Sequence, residues 1–71
     1  VAMGPMLQHR YEVFFSGADG AGVESVLAPS RKEALEMAAQ GHPGCNLAAF
    51  HSTLINASRR QGLLAEWLTT L

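Results

Sequence analysis

The first clear pattern along the chain is alternation. From Gln8 to Ser16, the residues His9, Tyr11, Val13 and Phe15 fall on one side, and Arg10, Glu12, Phe14 and Ser16 on the other. Period two, carried by β-branched and aromatic residues, predicts a strand. The segment Gly17–Gly22 holds three glycines and an Asp-Gly pair. Such residues tolerate the positive φ of tight turns, so a hairpin is predicted. Placing Asp19-Gly20 at the turn pairs Val13 with Val26 and Tyr11 with Ala28 on a second strand, Gly22–Ala28. Those four side chains then share one apolar face.

The pattern changes at Pro29-Ser30. Ser30 can accept from the N–H of Glu33 while Glu33 reaches back to the N–H of Ser30, a capping box that opens a helix. The helix runs through Gln40, with Ala34, Leu35, Ala38 and Ala39 as a small-residue stripe suited to close packing on a sheet. Gly41 is the expected left-handed cap, and Pro43 blocks continuation. After a His42-Pro43-Gly44 turn, Asn46–His51 alternates again and predicts a third strand. Ser52–Ala57 reads as strand, loop or helix start. A second helix is expected from Ser58, with Ser58 and Gln61 as a capping box, or alternatively from near Ser52. Leu63, Leu64, Trp67, Leu68 and Leu71 form its apolar stripe.

The order is β-β-α-β-α, an α+β domain. A helix between the second and third strands makes those two parallel. The third strand then lies beside the first, giving a mainly antiparallel sheet of order 2-1-3 packed by helices. Val1–Pro5 read as an expression remnant or a flexible N-terminus, with Met6 as the initiator and 6–71 as one domain. A chain of 71 residues buries roughly 60–65% of its unfolded surface, which makes its core marginal.

Composition narrows the chemistry. Apolar residues are 48% and charged residues 15%, with a net charge of −1. That balance opposes binding driven mainly by phosphates. One cysteine excludes an internal disulfide framework and, with no secretory signal in view, fits a reducing cytoplasm. No apolar run approaches the ~18 residues of a membrane span.

No constellation of reactive residues emerges. His42, Cys45 and His51 offer soft-metal ligands, with His9 as a fourth, but a lone cysteine at a strand start is ordinarily a small buried hydrophobe. Cys45 and His51 on one strand would stand about 20 Å apart, which removes them as a catalytic pair. Glu33 and Glu36 read as a cap and a surface charge. The glycine-rich turn is followed by a strand and carries no closing Lys or Ser/Thr, so it is not a phosphate loop. No catalytic residue, metal or cofactor is expected, and the chain is read as a non-enzyme.

Two features remain. Arg59-Arg60 and Arg31-Lys32 sit at predicted helix starts, against the helix dipole, and with Arg10 they could meet an anionic partner such as nucleic acid. The stronger feature is surplus apolar surface. Phe14 points away from Val13, Phe50 away from Leu47, and Trp67 sits among leucines with Glu66 as the only charge after Arg60. Either the second helix covers this face in a closed monomer, or another chain does. Tyr11-Glu12-Val13, then Glu33-Ala34-Leu35 after Pro29-Ser30, then Pro43-Gly44, resemble small β-β-α-β proteins of unassigned role from bacteria, phages and plasmids. That resemblance implies a bacterial or mobile-element source. The expected function is a protein–protein interaction module, homodimeric or bound to another protein, using Phe14, Phe50, Arg59, Arg60 and Trp67. The alternative is a nucleic-acid accessory protein using the basic residues.

Overall fold

In the computed structural model, which describes residues 7–71, strand β1 (His9–Gly17) and strand β2 (Gly20–Ala28) form an antiparallel hairpin. The register runs unbroken from His9 opposite Ala28 to Gly17 opposite Gly20. Ala18 and Asp19 are therefore the turn, not Asp19 and Gly20. The reason is conformational. An Asp-Gly turn of the expected kind requires positive φ at both residues, yet the only positive φ here is Gly20, at +131°. Tyr11 consequently faces Val26 and Val13 faces Glu24. The shift preserves the face of every side chain, because the paired positions move by an even number.

Helix α1 (Arg31–Gly41) follows, then strand β3 (Asn46–His51). β3 pairs antiparallel with β1, Tyr11 opposite His51 and Phe15 opposite Leu47. The sheet order is β2-β1-β3, the arrangement expected from the sequence. Glu33 N–H donates to Ser30 Oγ at 3.3 Å, so the forward half of the capping box is present. Gly41 is not a left-handed cap. It closes the helix, and His42 takes the C-cap with its N–H on Ala38 O at 2.9 Å. The positive φ falls instead on Gly44, at +79°. There Cys45 N–H reaches back to His42 O at 3.2 Å, and Pro43-Gly44 form the centre of a turn that demands glycine at its second inner position.

α1 lies on the face of Tyr11, Val13, Ala28 and Ala49, all buried, and inserts Ala34 and Ala38 into it. Small side chains let the helix approach the sheet closely, with Val26, Leu35 and Leu47 sealing the margin. Ala39, expected in the stripe, is exposed. At the far end of this face His42 stacks on Phe15, centroids 4.0 Å apart, while its Nε2 meets Glu24 Oε1 at 3.2 Å. The same Phe15 ring lies over Gly22, where an added Cβ would come within 2.8 Å of it. Thus the end of α1 is tied to β1 through the Phe15 stack and to β2 through the His42–Glu24 contact, as well as through the alanines.

After β3 the chain makes two 3₁₀ turns, Ser52–Leu54 and Ala57–Arg59, and enters helix α2 (Arg60–Leu68). Ser58 does not cap it. Asn56 Oδ1 accepts from Ser58 N–H at 3.0 Å and from Ser58 Oγ at 2.8 Å, capping the second 3₁₀ turn instead. Arg59, the residue before α2, has no side-chain cap bond. Thr69 and Thr70 hydroxyls close the helix on Glu66 O and Trp67 O, each at 2.6 Å. Among the described residues no helix is long and apolar enough to cross a membrane. Val1–Pro5 lie outside those residues.

Candidate functional site

α2 covers the other face of the sheet, the one carrying Glu12, Phe14, Ser25, Val23, Ala48 and Phe50. Leu64 is buried there and Trp67 half-buried. Phe14 is the centre of an aromatic group: its ring lies 5.3 Å from Phe50 and 5.8 Å from Trp67, both tilted. Such offset contacts suit the quadrupoles of the rings. Three of the five residues singled out from the sequence are thereby brought together. Phe14, however, is only 1% exposed. It is a floor, not a contact surface, because its strand is the central one and both neighbours shield it.

Above that floor is a groove of about 460 Å³ between α2 and the end of β3. Phe50, Leu54 and Ile55 form one wall, and Leu63 and Trp67 the other. Among the described residues Glu66 is the only charged group lining it, with Thr70 beside it. Leu54 stands 71% exposed. Leu54, Ile55 and Leu63 were not among the sequence candidates. The signal for the first two was an apolar pair inside the segment whose conformation was ambiguous.

The two arginines part company. Arg59 is exposed. Arg60 turns inward, its Nη2 at 3.4 Å from Glu12 Oε1. Glu12 is only 2% exposed and also accepts from Ser25 Oγ at 2.9 Å, with Arg10 Nε at 3.9 Å. A buried carboxylate requires such partners, because an unpaired charge out of water is costly. This resolves the unfavourable placement of Arg60 at a helix start: it answers Glu12, not the helix dipole. Arg31 is likewise engaged, its Nε donating to Ala49 O at 3.0 Å. The basic residues are thus partly consumed inside the fold.

A second cleft, also about 460 Å³, lies between the hairpin tip and the turn after α1, lined by Phe15, Asp19, His42 and Cys45 among others. Its reactive groups are occupied. His42 is held by Phe15 and Glu24, and Cys45 Sγ packs against the bare α-carbon of Gly17, where a Cβ would overlap it. His51 lies at the opposite end of β3, its Nδ1 bonded to Thr53 Oγ1 at 2.8 Å and its ring 5.1 Å from that of His9. Among the described residues no group of three or more His, Cys, Asp or Glu side chains could hold a metal ion. Comparison with protein-family models, with curated proteins and with solved structures gives no match.

Proposed function

We propose that the chain is a non-enzymatic protein–protein interaction module that acts as a homodimer and takes an apolar anchor of a partner protein into the Phe50–Leu54–Trp67 groove. The carrying observation is the groove itself, floored by Phe14, walled by apolar side chains and edged by one carboxylate. Open apolar surface of this kind on a small domain marks a contact site. A reducing compartment suits the free thiol of Cys45. The nucleic-acid reading is weaker, because Arg31 and Arg60 are committed to Ala49 and Glu12.

Trp67 is the only tryptophan and lines the groove, so its emission reports occupancy. An apolar fluorescent probe such as anilinonaphthalene sulfonate should bind near one per chain and shift that emission. Leu54→Glu should abolish the shift and remove specific co-purifying proteins while leaving the circular dichroism spectrum intact. Equal probe binding and an equal set of co-purifying proteins in the variant would refute the groove reading.

A further inference from the structure

We infer that β2 is the surface through which two copies of the chain join, strand against strand, antiparallel, in one register; this deepens the homodimer reading above and rests on it.

The two edges of the sheet differ. In an antiparallel ladder each residue turns both its N–H and its C=O to one side, and alternate residues turn to opposite sides. Arg31 Nε bonds Ala49 O at 3.0 Å, so the main-chain groups of Ala49 point away from β1. Asn46, Ala48 and Phe50 are then the residues that bond Ser16, Phe14 and Glu12 across the ladder. Tyr11, Val13 and Phe15 accordingly turn to β2 and bond Val26, Glu24 and Gly22. That leaves Ala21, Val23, Ser25 and Leu27 with their N–H and C=O groups directed outward. Among the described residues no main-chain hydrogen bond outside the ladders reaches any of them.

Proteins protect open edges with short strands, bulges, prolines or inserted charges. β3 is six residues long and has an arginine on its edge carbonyl. β2 is nine residues long, keeps its register without a bulge, and contains no Lys, Arg or Pro. Its one charge, Glu24, is held by His42. Leu27 on the same strand is 57% exposed. Among the described residues the edge is therefore open, and a second copy satisfies it with the same groups it lacks.

Side chains select the register. Outward residues must face outward residues, which permits few two-fold arrangements. A two-fold axis at Glu24 sets two carboxylates directly opposite, which is repulsive. An axis at Val23 leaves Leu27 facing the partner's Asp19, in the hairpin turn. An axis at Val26 sets Val23 against the partner's Pro29, which has no N–H to give. An axis at Ser25 places Leu27 opposite the partner's Val23 and Glu24 opposite the partner's Val26. It covers the exposed leucine twice and separates the carboxylates. The product is a continuous sheet with β3 and the groove at each outer end, clear of the contact.

Sedimentation and light scattering across micromolar to millimolar concentration should give twice the chain mass. Leu27→Lys, at an exposed position, should raise the dimer dissociation constant at least about tenfold without changing the circular dichroism spectrum. In a Cys45→Ser background, Ser25→Cys should oxidise to a covalent dimer, because directly opposite residues lie within disulfide reach. Val23→Cys should not, since the two copies of that residue fall on opposite sides of the axis. A monomer at every concentration overturns the β2 contact and the homodimer reading together. A dimer indifferent to Leu27→Lys, or cross-linking equally at both positions, overturns the β2 contact alone. Neither outcome bears on the groove, which Trp67 emission tests separately.

Discussion

The ion pair between Glu12 and Arg60 should be the main anchor of α2. Arg60→Met keeps the aliphatic stem and removes the charge. Glu12, 2% exposed, then retains Ser25 Oγ as its close donor, with Arg10 at the longer 3.9 Å. Stripping one partner from a buried pair costs about 3–5 kcal/mol. The lower end applies, because Arg60 is 36% exposed and its Nε is buried with no hydrogen-bond partner. A loss of ~3 kcal/mol is large for a chain of this size, whose whole stability is on the order of 4–11 kcal/mol. Glu12→Leu should cost less, since the freed arginine can turn to water where the carboxylate cannot. The double variant Glu12→Leu/Arg60→Met should lie within ~1 kcal/mol of the parent, an apolar pair replacing an ionic one. Urea unfolding of all four proteins, followed by circular dichroism and Trp67 emission at one fixed concentration, completes the cycle. If Arg60→Met lies within ~0.5 kcal/mol of the parent with the same urea dependence, α2 is held by its apolar contacts alone and the reasoning fails.

Three further outcomes follow from the same geometry. Arg31→Ala frees the Ala49 carbonyl and with it the β3 edge; light scattering should then show assemblies larger than a dimer, growing with concentration, and an unchanged mass would contradict the capping role. Gly17→Ala drives a Cβ into Cys45 Sγ and should cost about 2 kcal/mol, lowering Tm by ~10 °C, with Cys45→Ala restoring most of the loss in a thermal melt. Gly44→Ala forces a side chain into a φ of +79° and should cost about 1–2 kcal/mol, while Gly44→Asn should cost less; equal melting temperatures for both would argue against backbone strain there.

What the sequence made legible, and what it did not, divides along the reach of the interactions. The strands, α1 and the order of the sheet follow from period, capping and turn residues that act over a few positions. Local rules also identified the glycine-rich hairpin, but not its phase. Asp19-Gly20 is a strong turn pair, yet the chain places the positive φ at Gly20 alone and turns one residue earlier. The start of α2 was hidden for a similar reason. Ser58 is a good cap in isolation, but Asn56 takes its N–H and its hydroxyl first. Phe14, Phe50 and Trp67 were found because three large rings off the main core face must go somewhere. The fate of Arg60 was not, because its partner Glu12 lies 48 positions away. The available sign was that Glu12 shares its parity with Phe14, which puts a carboxylate on an apolar face.

The groove has a geometric origin. α1 meets its face through Ala34 and Ala38 and approaches closely enough to contact all three strands. α2 meets the opposite face on rings, with Trp67 on Phe14, and rings hold a helix farther off than alanines do. Three strands span about 10 Å between outer axes, near the width of one helix with its side chains, and a helix held at a distance leaves an unfilled margin on one side. α2 touches β2, its first residue Arg60 reaches Glu12 on the central strand, and the margin opens along β3 at Phe50. The ion pair holds the start of α2 over the central strand, away from that margin. A variant that releases Arg60 frees α2 to drift toward β3 and narrow the groove, so Arg60→Met should weaken probe binding at Trp67 even where the protein remains folded.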